Sequence, residues 1–551
     1  MAPVGYFTFV LHTHIPHVLG HGVWPHGSDW LMEAFVETYI PLLEAFRKLK
    51  EAGGRCSVTI GLTPVLVDQV QSRAFGPALR EYVDQRIASA ERNQAAFALQ
   101  GAAEMAAQAE RWKSFYAWGL DAFERTYEPD PTGALKSFAD DVAAELIPSA
   151  VTHAYLPLLG SELCLKAQVA GAVHLYERRF GAAPAGFWLP ECGYRPAEIG
   201  TGGRKGIDEV LAEAGVRYFI TDHHLLTGAP GGGYGYSRSG LWSGNASPGI
   251  PDPMLPLEPY WIEGGAAGRT LAVFSREPGA SLQVWSHEFG YPGSAEYLEF
   301  HKKHHDGGLR YWRVTDRHTG LEKKQPYDAA AALAKAKEHA AHYVTIIRSR
   351  LDAYAAAHGR PGTMIAPFDT ELFGHWWFEG PAFMTEVLRL LPKNGVEVRT
   401  CAEQLSLAPP RRTARLFEGS WGEGGDHRMW LNMFTVHMWE EVNRAEAAFA
   451  QIAGRHAATN DLLLRRVLGQ MARTLMLLES SDWFFLVTTA TARDYAEERF
   501  TRLLYHFKML KAIAAVALGR GELGEKEIEQ LETVEAEDGI LADVDLLAEY
   551  A

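Results

Sequence analysis

Cysteine is scarce: Cys56, Cys164, Cys192 and Cys401 are the only four in 551 residues, and no two of them form a C-x-x-C pair. Neither a zinc knuckle nor a disulfide framework is signalled, and this usage suits a reducing cytoplasm. Long apolar runs are missing as well. No stretch reaches the roughly 18 uninterrupted apolar residues of a membrane span, so no membrane partner is expected. The N-terminus lacks a basic segment and a small-residue cleavage site, so no signal peptide is expected either. Positive charge is in deficit, with 53 Lys+Arg against 68 Asp+Glu and a net charge of −15. A nucleic-acid partner, which needs a basic face, is thereby disfavoured. Much of the acidic excess lies in residues 521–551, where Lys526 is the only base. Such a charge run reads as a solvated or frayed tail.

What is plentiful is aromatic: 15 Trp and 21 Tyr. The length allows roughly two to four domains. GYFTFVL (5–11) and CSVTIGL (56–62) are β-rich and flank an amphipathic helix over 30–51, which is a strand–helix–strand crossover and predicts a parallel sheet. Residues 67–147 are rich in Ala, Glu, Arg and Gln at helical spacing and predict a helical insertion. Strand patterns return at GFWLPE (186–191), RYFITD (217–222), TLAVFS (270–275), TMIAPFD (363–369) and VEVRT (396–400), with helices between them. Thirteen of the 29 residues over 228–256 are Gly or Pro, a run too long for a simple connection and typical of a lid or binding loop. From 406 to 520 the chain is mainly helical. The fold expected is α/β: a catalytic domain over 1–66 and 148–405, barrel-like or doubly wound, with the insertion and a C-terminal helical domain.

In parallel βα architectures, chemistry collects at the C-terminal ends of strands. His12 and His14 follow the first strand, Glu191 ends FWLPE, Asp222, His223 and His224 follow RYFIT, and Asp369 ends TMIAPF. Two chemistries fit these residues. His12, His14 and Asp222 offer the N and O ligands of a zinc hydrolase or deacetylase. Two carboxylates offer the nucleophile and proton donor of glycoside chemistry. Tryptophans near the strand ends or in Gly-rich loops, among them Trp188, Trp285, Trp376, Trp377, Trp421 and Trp430, favour a sugar, whose apolar ring faces stack on aromatic rings. SWGEGGDHRMW (420–430) is too polar and too rich in Gly for a buried helix face, so Trp421 and Trp430 are expected to face a ligand or another surface.

HTHIPH, VTHAYLPLL, FWLPECGY, APFDTELFGHWWFEG and ESSDWFF, in this order, resemble the sequence regions of glycoside hydrolase family 57. Within that family, WPHGSDWL, SLQVWS and SWGEGGDHRMWLN are similar to the 1,4-α-glucan branching enzymes. The likeness runs from about residue 5 to 515. It implies an incomplete (β/α)7 barrel and a retaining mechanism without cofactor or metal, acting on α-glucan. Glu191 falls on the nucleophile position and Asp369 on the general acid/base position. To act as the acid, Asp369 needs a raised pKa, which burial against Trp376 would supply. His12, His14 and His153 match positions around the cleaved bond. Asp482 matches the fifth region, and Glu371 and His375 stay open between substrate contact and support. Trp30, Trp285, Trp421 and Trp430 match glucan-binding aromatics, and Trp376 and Trp377 are candidates for the cleft wall. Tyr234 and Tyr236 are the candidates for the tyrosine of a closing loop. A family α-amylase or 4-α-glucanotransferase, or a non-catalytic glucan-binding protein, carries the same residue types.

Overall fold

The computed structural model describes residues 3–198, 203–228, 234–236, 242–244, 255–263, 271–286 and 288–550. Its centre is mixed α/β with two largely parallel sheets. In the first, β1 (Gly5–Thr13) lies between β2 (Thr59–Leu62) and β10 (Gly362–Asp369), with β3 (Glu145–Pro148) beyond β2 and β11 (Val396–Val398) also paired to β1. The second has β4 (Gly186–Trp188), β5 (Tyr218–Thr221) and β9 (Ala272–Ser275) in parallel. It continues through antiparallel β8 (Tyr260–Ile262) to the two-residue β12 (Thr413–Ala414). A separate hairpin joins β6 (Tyr234–Tyr236) to β7 (Trp242–Gly244). Parallel bridges Ser149–Trp188 and Arg276–Ile365 tie the edges of the two main sheets.

Strands buried on both faces read as continuous apolar runs rather than alternation. FTFVL and MIAPF do so, and each is buried along its length. Register then fixes the site. His12 pairs with Asp369 across β1 and β10, so the ends of these two strands stand side by side.

The stretch after β2 is helical, with Phe75–Leu99 and Ala103–Ala122 antiparallel. The four-residue β3 that follows it went unread, because ELIP is too short to carry a period after so long a helical run. Helices Val436–His456, Leu462–Leu478, Ser481–Thr489 and Arg493–Arg520 form the C-terminal region. Their apolar faces share one continuous core with β4, β5 and β9. The acidic tail is folded, contrary to the reading from its charge. Helix Glu525–Asp538 buries Leu531 and Val534, and Leu546, Leu547 and Tyr550 close the same core. Its acids, Asp538 apart, lie toward solvent while these spaced apolar residues turn inward, an amphipathic pattern that a count of charge conceals. No helix among the described residues is long and apolar enough to cross a membrane.

Candidate active site

A cleft of about 1090 Å³ opens over the ends of β1, β4 and β10. Of the residues expected at the site, His12, His14, Trp30, His153, Glu191, Trp285, Asp369, Trp376, Trp421, Trp430 and Asp482 line it, as do Glu371 and His375. The side chains of Tyr234 and Tyr236 lie outside the described residues. Their backbone forms β6, which runs beside Glu423–Gly425.

Glu191 sits three residues past β4 in a tight turn, with φ 59° and ψ 22°. A left-handed conformation at a non-glycine residue costs about 1–3 kcal/mol and persists where the surroundings over-determine it, as at active sites. His153, at φ 57°, shares this habit. Glu191 Oε2 accepts a 2.7 Å hydrogen bond from Trp421 Nε1, and Oε1 a longer one, 3.4 Å, from Ser481 Oγ. Asp369, at the end of β10, is half-buried like Glu191. Burial, with the neighbouring Glu371 carboxylate adding to it, pushes Asp369 up to about 8. Burial also pushes Glu191 to about 8, opposed by the Trp421 donor and reinforced by the charge of Asp369. Two acids in one recess titrate as a pair. The Trp421 and Ser481 donors favour the ionised form of Glu191, and the positive charge of Arg276 favours that of Asp369.

The histidines form a stack on one wall. His12 lies against Trp188 at 4.8 Å and His153 at 4.7 Å, and His14 against His153 at 4.1 Å. His12 and His153 share a 2.8 Å hydrogen bond, and His153 Nδ1 meets Ser481 Oγ at 2.8 Å. Burial, joined by their mutual repulsion and that of His14, holds His12 and His153 well below the usual histidine range, so both are neutral. His14 pairs instead with Asp482 at 2.9 Å. Burial raises Asp482, but His14 outweighs it and keeps the carboxyl at about 2. Glu371 accepts from Tyr39 Oη and from the backbone N–H of His14, so it secures the end of β1.

The tryptophans divide. Trp376 does not bury Asp369 as expected; it stacks on Phe300 at 4.5 Å and stays 37% exposed in the cleft. Trp377 is core, packed among Tyr291, Tyr297 and Phe383. Trp430 is fully buried and stacked on Tyr155 at 4.2 Å, because a turn-rich segment can still fold its aromatics inward. Trp285 and Trp30 are half-buried at the cleft edge, and His375 pairs with Glu33.

This geometry coincides with sequence likeness along nearly the whole chain. Residues 8–416 match the family model described as Glycosyl hydrolase family 57, and residues 441–548 match one described as 1,4-alpha-glucan branching enzyme, C-terminal. The chain belongs to glycosyl hydrolase family 57. The 1,4-alpha-glucan branching enzyme of Thermococcus kodakarensis is 38% identical to it, over 97% of this chain and 77% of that protein. A probable 1,4-alpha-glucan branching enzyme of Mycobacterium tuberculosis is 31% identical, over 94% and 93%. Among solved structures, a family 57 branching enzyme from Thermococcus kodakaraensis superposes with a TM-score of 0.89 at 37% identity, covering 100% of this chain and 96% of that one. The α-amylase AmyC from Thermotoga maritima superposes with a TM-score of 0.80 at 26% identity, covering 99% of each.

Within this family 57 chain the zinc reading fails on charge. Asp222 is fully buried and ion-paired to Arg276, with His223 Nδ1 bonded to it at 2.6 Å. Burial raises Asp222, but Arg276 and His223 outweigh it and hold the carboxyl well below the usual range. A guanidinium already neutralising the carboxylate opposes a cation there. Arg276 was not singled out from the sequence, yet it lines the cleft, lies 5.6 Å from the Trp421 ring and lowers Asp369. One signal was available: an arginine directly following TLAVFS, at a strand end like the acids.

Proposed function

We propose that this chain is a 1,4-α-glucan branching enzyme that transfers a glucan segment by a retaining double displacement at Glu191 and Asp369. The observation that carries the reading is the proton bookkeeping of the pair. Glu191 accepts the Trp421 indole N–H, which favours its ionised form, beside Asp369, on which burial keeps a proton near neutrality. The Glu191 carboxylate attacks the anomeric carbon of an α-1,4-linked glucose while Asp369 gives its proton to the departing 4-oxygen. The C1–O4 bond breaks and a glycosyl ester on Glu191 forms. Asp369, now ionised, takes the proton of an incoming 6-hydroxyl, whose oxygen attacks C1 and frees Glu191. Two inversions return the α configuration as an α-1,6 branch. His12 and His153, neutral, suit hydrogen bonds to sugar hydroxyls, and Trp30, Trp285, Trp376 and Trp421 supply aromatic surface along the cleft. Trp430, fully buried, forms part of the cleft's packed wall with Tyr155 stacked on it. The partner is an uncharged α-glucan rather than a nucleic acid, in keeping with a net charge of −15. Four buried free cysteines support a cytoplasmic site of action.

We further infer that the two sheets form one incomplete (β/α)7 barrel. The Ser149–Trp188 and Arg276–Ile365 bridges support this, since with them β1, β2, β3, β4, β5, β9 and β10 follow one another around a ring. The barrel comprises 1–66 and 148–405, with 67–147 as the helical insertion, 406–520 as the C-terminal helical domain and 521–551 as its acidic extension.

The test is the Glu191→Gln variant. It keeps the bond from Trp421 and removes the nucleophile, so turnover of amylose should fall by at least about a thousandfold while glucan binding persists. Retained turnover refutes the assignment. A folded wild-type protein that binds glucan without any turnover would make this a binding protein only.

A further inference from the structure

The acidic tail has no part in the chemistry above, yet it buries a carboxylate where a helix disfavours one. Asp538 is the last residue of the helix Glu525–Asp538 and is fully buried. The C-terminal end of a helix carries partial negative charge, so an acid there is doubly costly unless cations gather on it. Four side chains face it, Arg499 as the fixed cation and three histidines, of which burial holds His17 down at about 3 and so neutral. Arg499 and His506, seven residues apart on one face of Arg493–Arg520, reach it at 3.2 and 2.7 Å. The other two, His21 at 3.3 Å and His17 at 3.9 Å, come from the segment between β1 and the helix Ser28–Ala34. That segment is the one whose Ile15, Pro16, Val23, Trp24, Pro25 and His26 line the cleft.

The same segment is held at further points. His21 Nε2 donates to the carbonyl of Glu537 at 3.0 Å, and its own carbonyl accepts from Tyr495 Oη at 3.0 Å. The Tyr495 ring lies 5.5 Å from Trp30. Gln69 accepts from the backbone N–H groups of Val18 and Leu19 and donates to the carbonyl of Pro16. Its neighbour Asp68 accepts from the N–H of Leu541, just past the tail helix. Two routes therefore run from the tail to one wall of the cleft, 400 residues and more away in sequence.

We propose that Asp538 is a positioning residue, whose ion pair with His21 holds the 15–30 wall of the cleft in the shape that receives the glucan. This rests on the function proposed above only for the identity of the ligand. The charge belongs to the tail, and the surface it shapes belongs to the substrate.

The test contrasts partners of the same carboxylate. His21→Gln removes the partner on the cleft wall, while His506→Gln removes one on the supporting helix. Asp538→Asn removes the centre. Maltoheptaose binding is measured by calorimetry and KM and kcat on amylose are measured well below each variant's Tm. His21→Gln and Asp538→Asn should weaken binding and raise KM about fivefold, with kcat changed much less; His506→Gln should lower Tm and leave both binding and KM as in the wild type. The proposal is overturned if His21→Gln and His506→Gln behave alike, whether both bind normally or both bind weakly. If Asp538→Asn does not fold, the histidine contrast decides by itself. Binding is read without turnover, so a wild type that fails to branch would refute the proposed function and leave this test standing.

Discussion

At the scale of single residues, the proposed mechanism asks two chemically similar acids for opposite charge states. Glu191 and Asp369 are recessed alike and burial raises both. Glu191 alone of the two accepts the indole N–H of Trp421, 230 residues downstream, which favours its ionised form. On the proposed mechanism activity requires Glu191 ionised, so it falls as pH drops through the lower titration of the pair. It also requires Asp369 protonated, so it falls again as pH rises through about 8. Trp421→Phe keeps the ring and deletes the donor. The ionised form of Glu191 loses a hydrogen bond, its pKa rises, and the acid limb of kcat/KM should move up by about one to two pH units. An unmoved acid limb contradicts the role of Trp421. Arg276→Leu acts on the other limb: with its positive charge gone, Asp369 holds its proton to higher pH and the alkaline limb should move up. The two acids were legible in the sequence because each lies in a motif at the C-terminal side of a strand, Asp369 as the last residue of β10 and Glu191 three residues past β4. The Trp421 bond was not, since spacing along a chain says nothing about which distant donor folds onto which carboxylate. Trp376 shows the same limit from the other side. Its place in the FGHWW cluster predicts contact with Asp369, whereas stacking on Phe300 takes it away.

At the scale of elements, strand ends carry the site and helix faces carry its support. Long helices and apolar strands were read correctly because their periods extend over many residues. Strand Gly362–Asp369 begins one residue before the expected TMIAPFD and ends with it. Short pieces escaped for the opposite reason: β3 and β8 have four and three residues, fewer than a pattern needs. The tail shows how charge can mislead. Leu531 and Leu547 are buried among helices 462–478 and 493–520 rather than solvated. Leu547→Ala should therefore cost about 2–5 kcal/mol, read as a lower urea midpoint with unchanged slope. A frayed tail predicts a change within about 0.5 kcal/mol.

At the scale of the whole molecule, the cleft is assembled from every region of the chain. The β1–β10 pairing brings His12 to Asp369, the turn after β4 presents Glu191, and the C-terminal helices supply Ser481 and Asp482. The buried Asp222–Arg276 pair stands at the seam where β9 meets β10. Asp222→Asn leaves that guanidinium buried without its counter-charge and should cost about 3–5 kcal/mol, checked by chemical denaturation. Similarity to both branching enzymes and an α-amylase puts the fate of the Glu191 intermediate at the centre of the account. A 6-hydroxyl and a water molecule compete for it. The most direct measurement incubates the enzyme with unbranched amylose, then counts α-1,6 linkages after debranching against new reducing ends. The account predicts many α-1,6 linkages for each new reducing end, all lost in Glu191→Gln. New reducing ends without α-1,6 linkages would contradict it and make the enzyme a hydrolase.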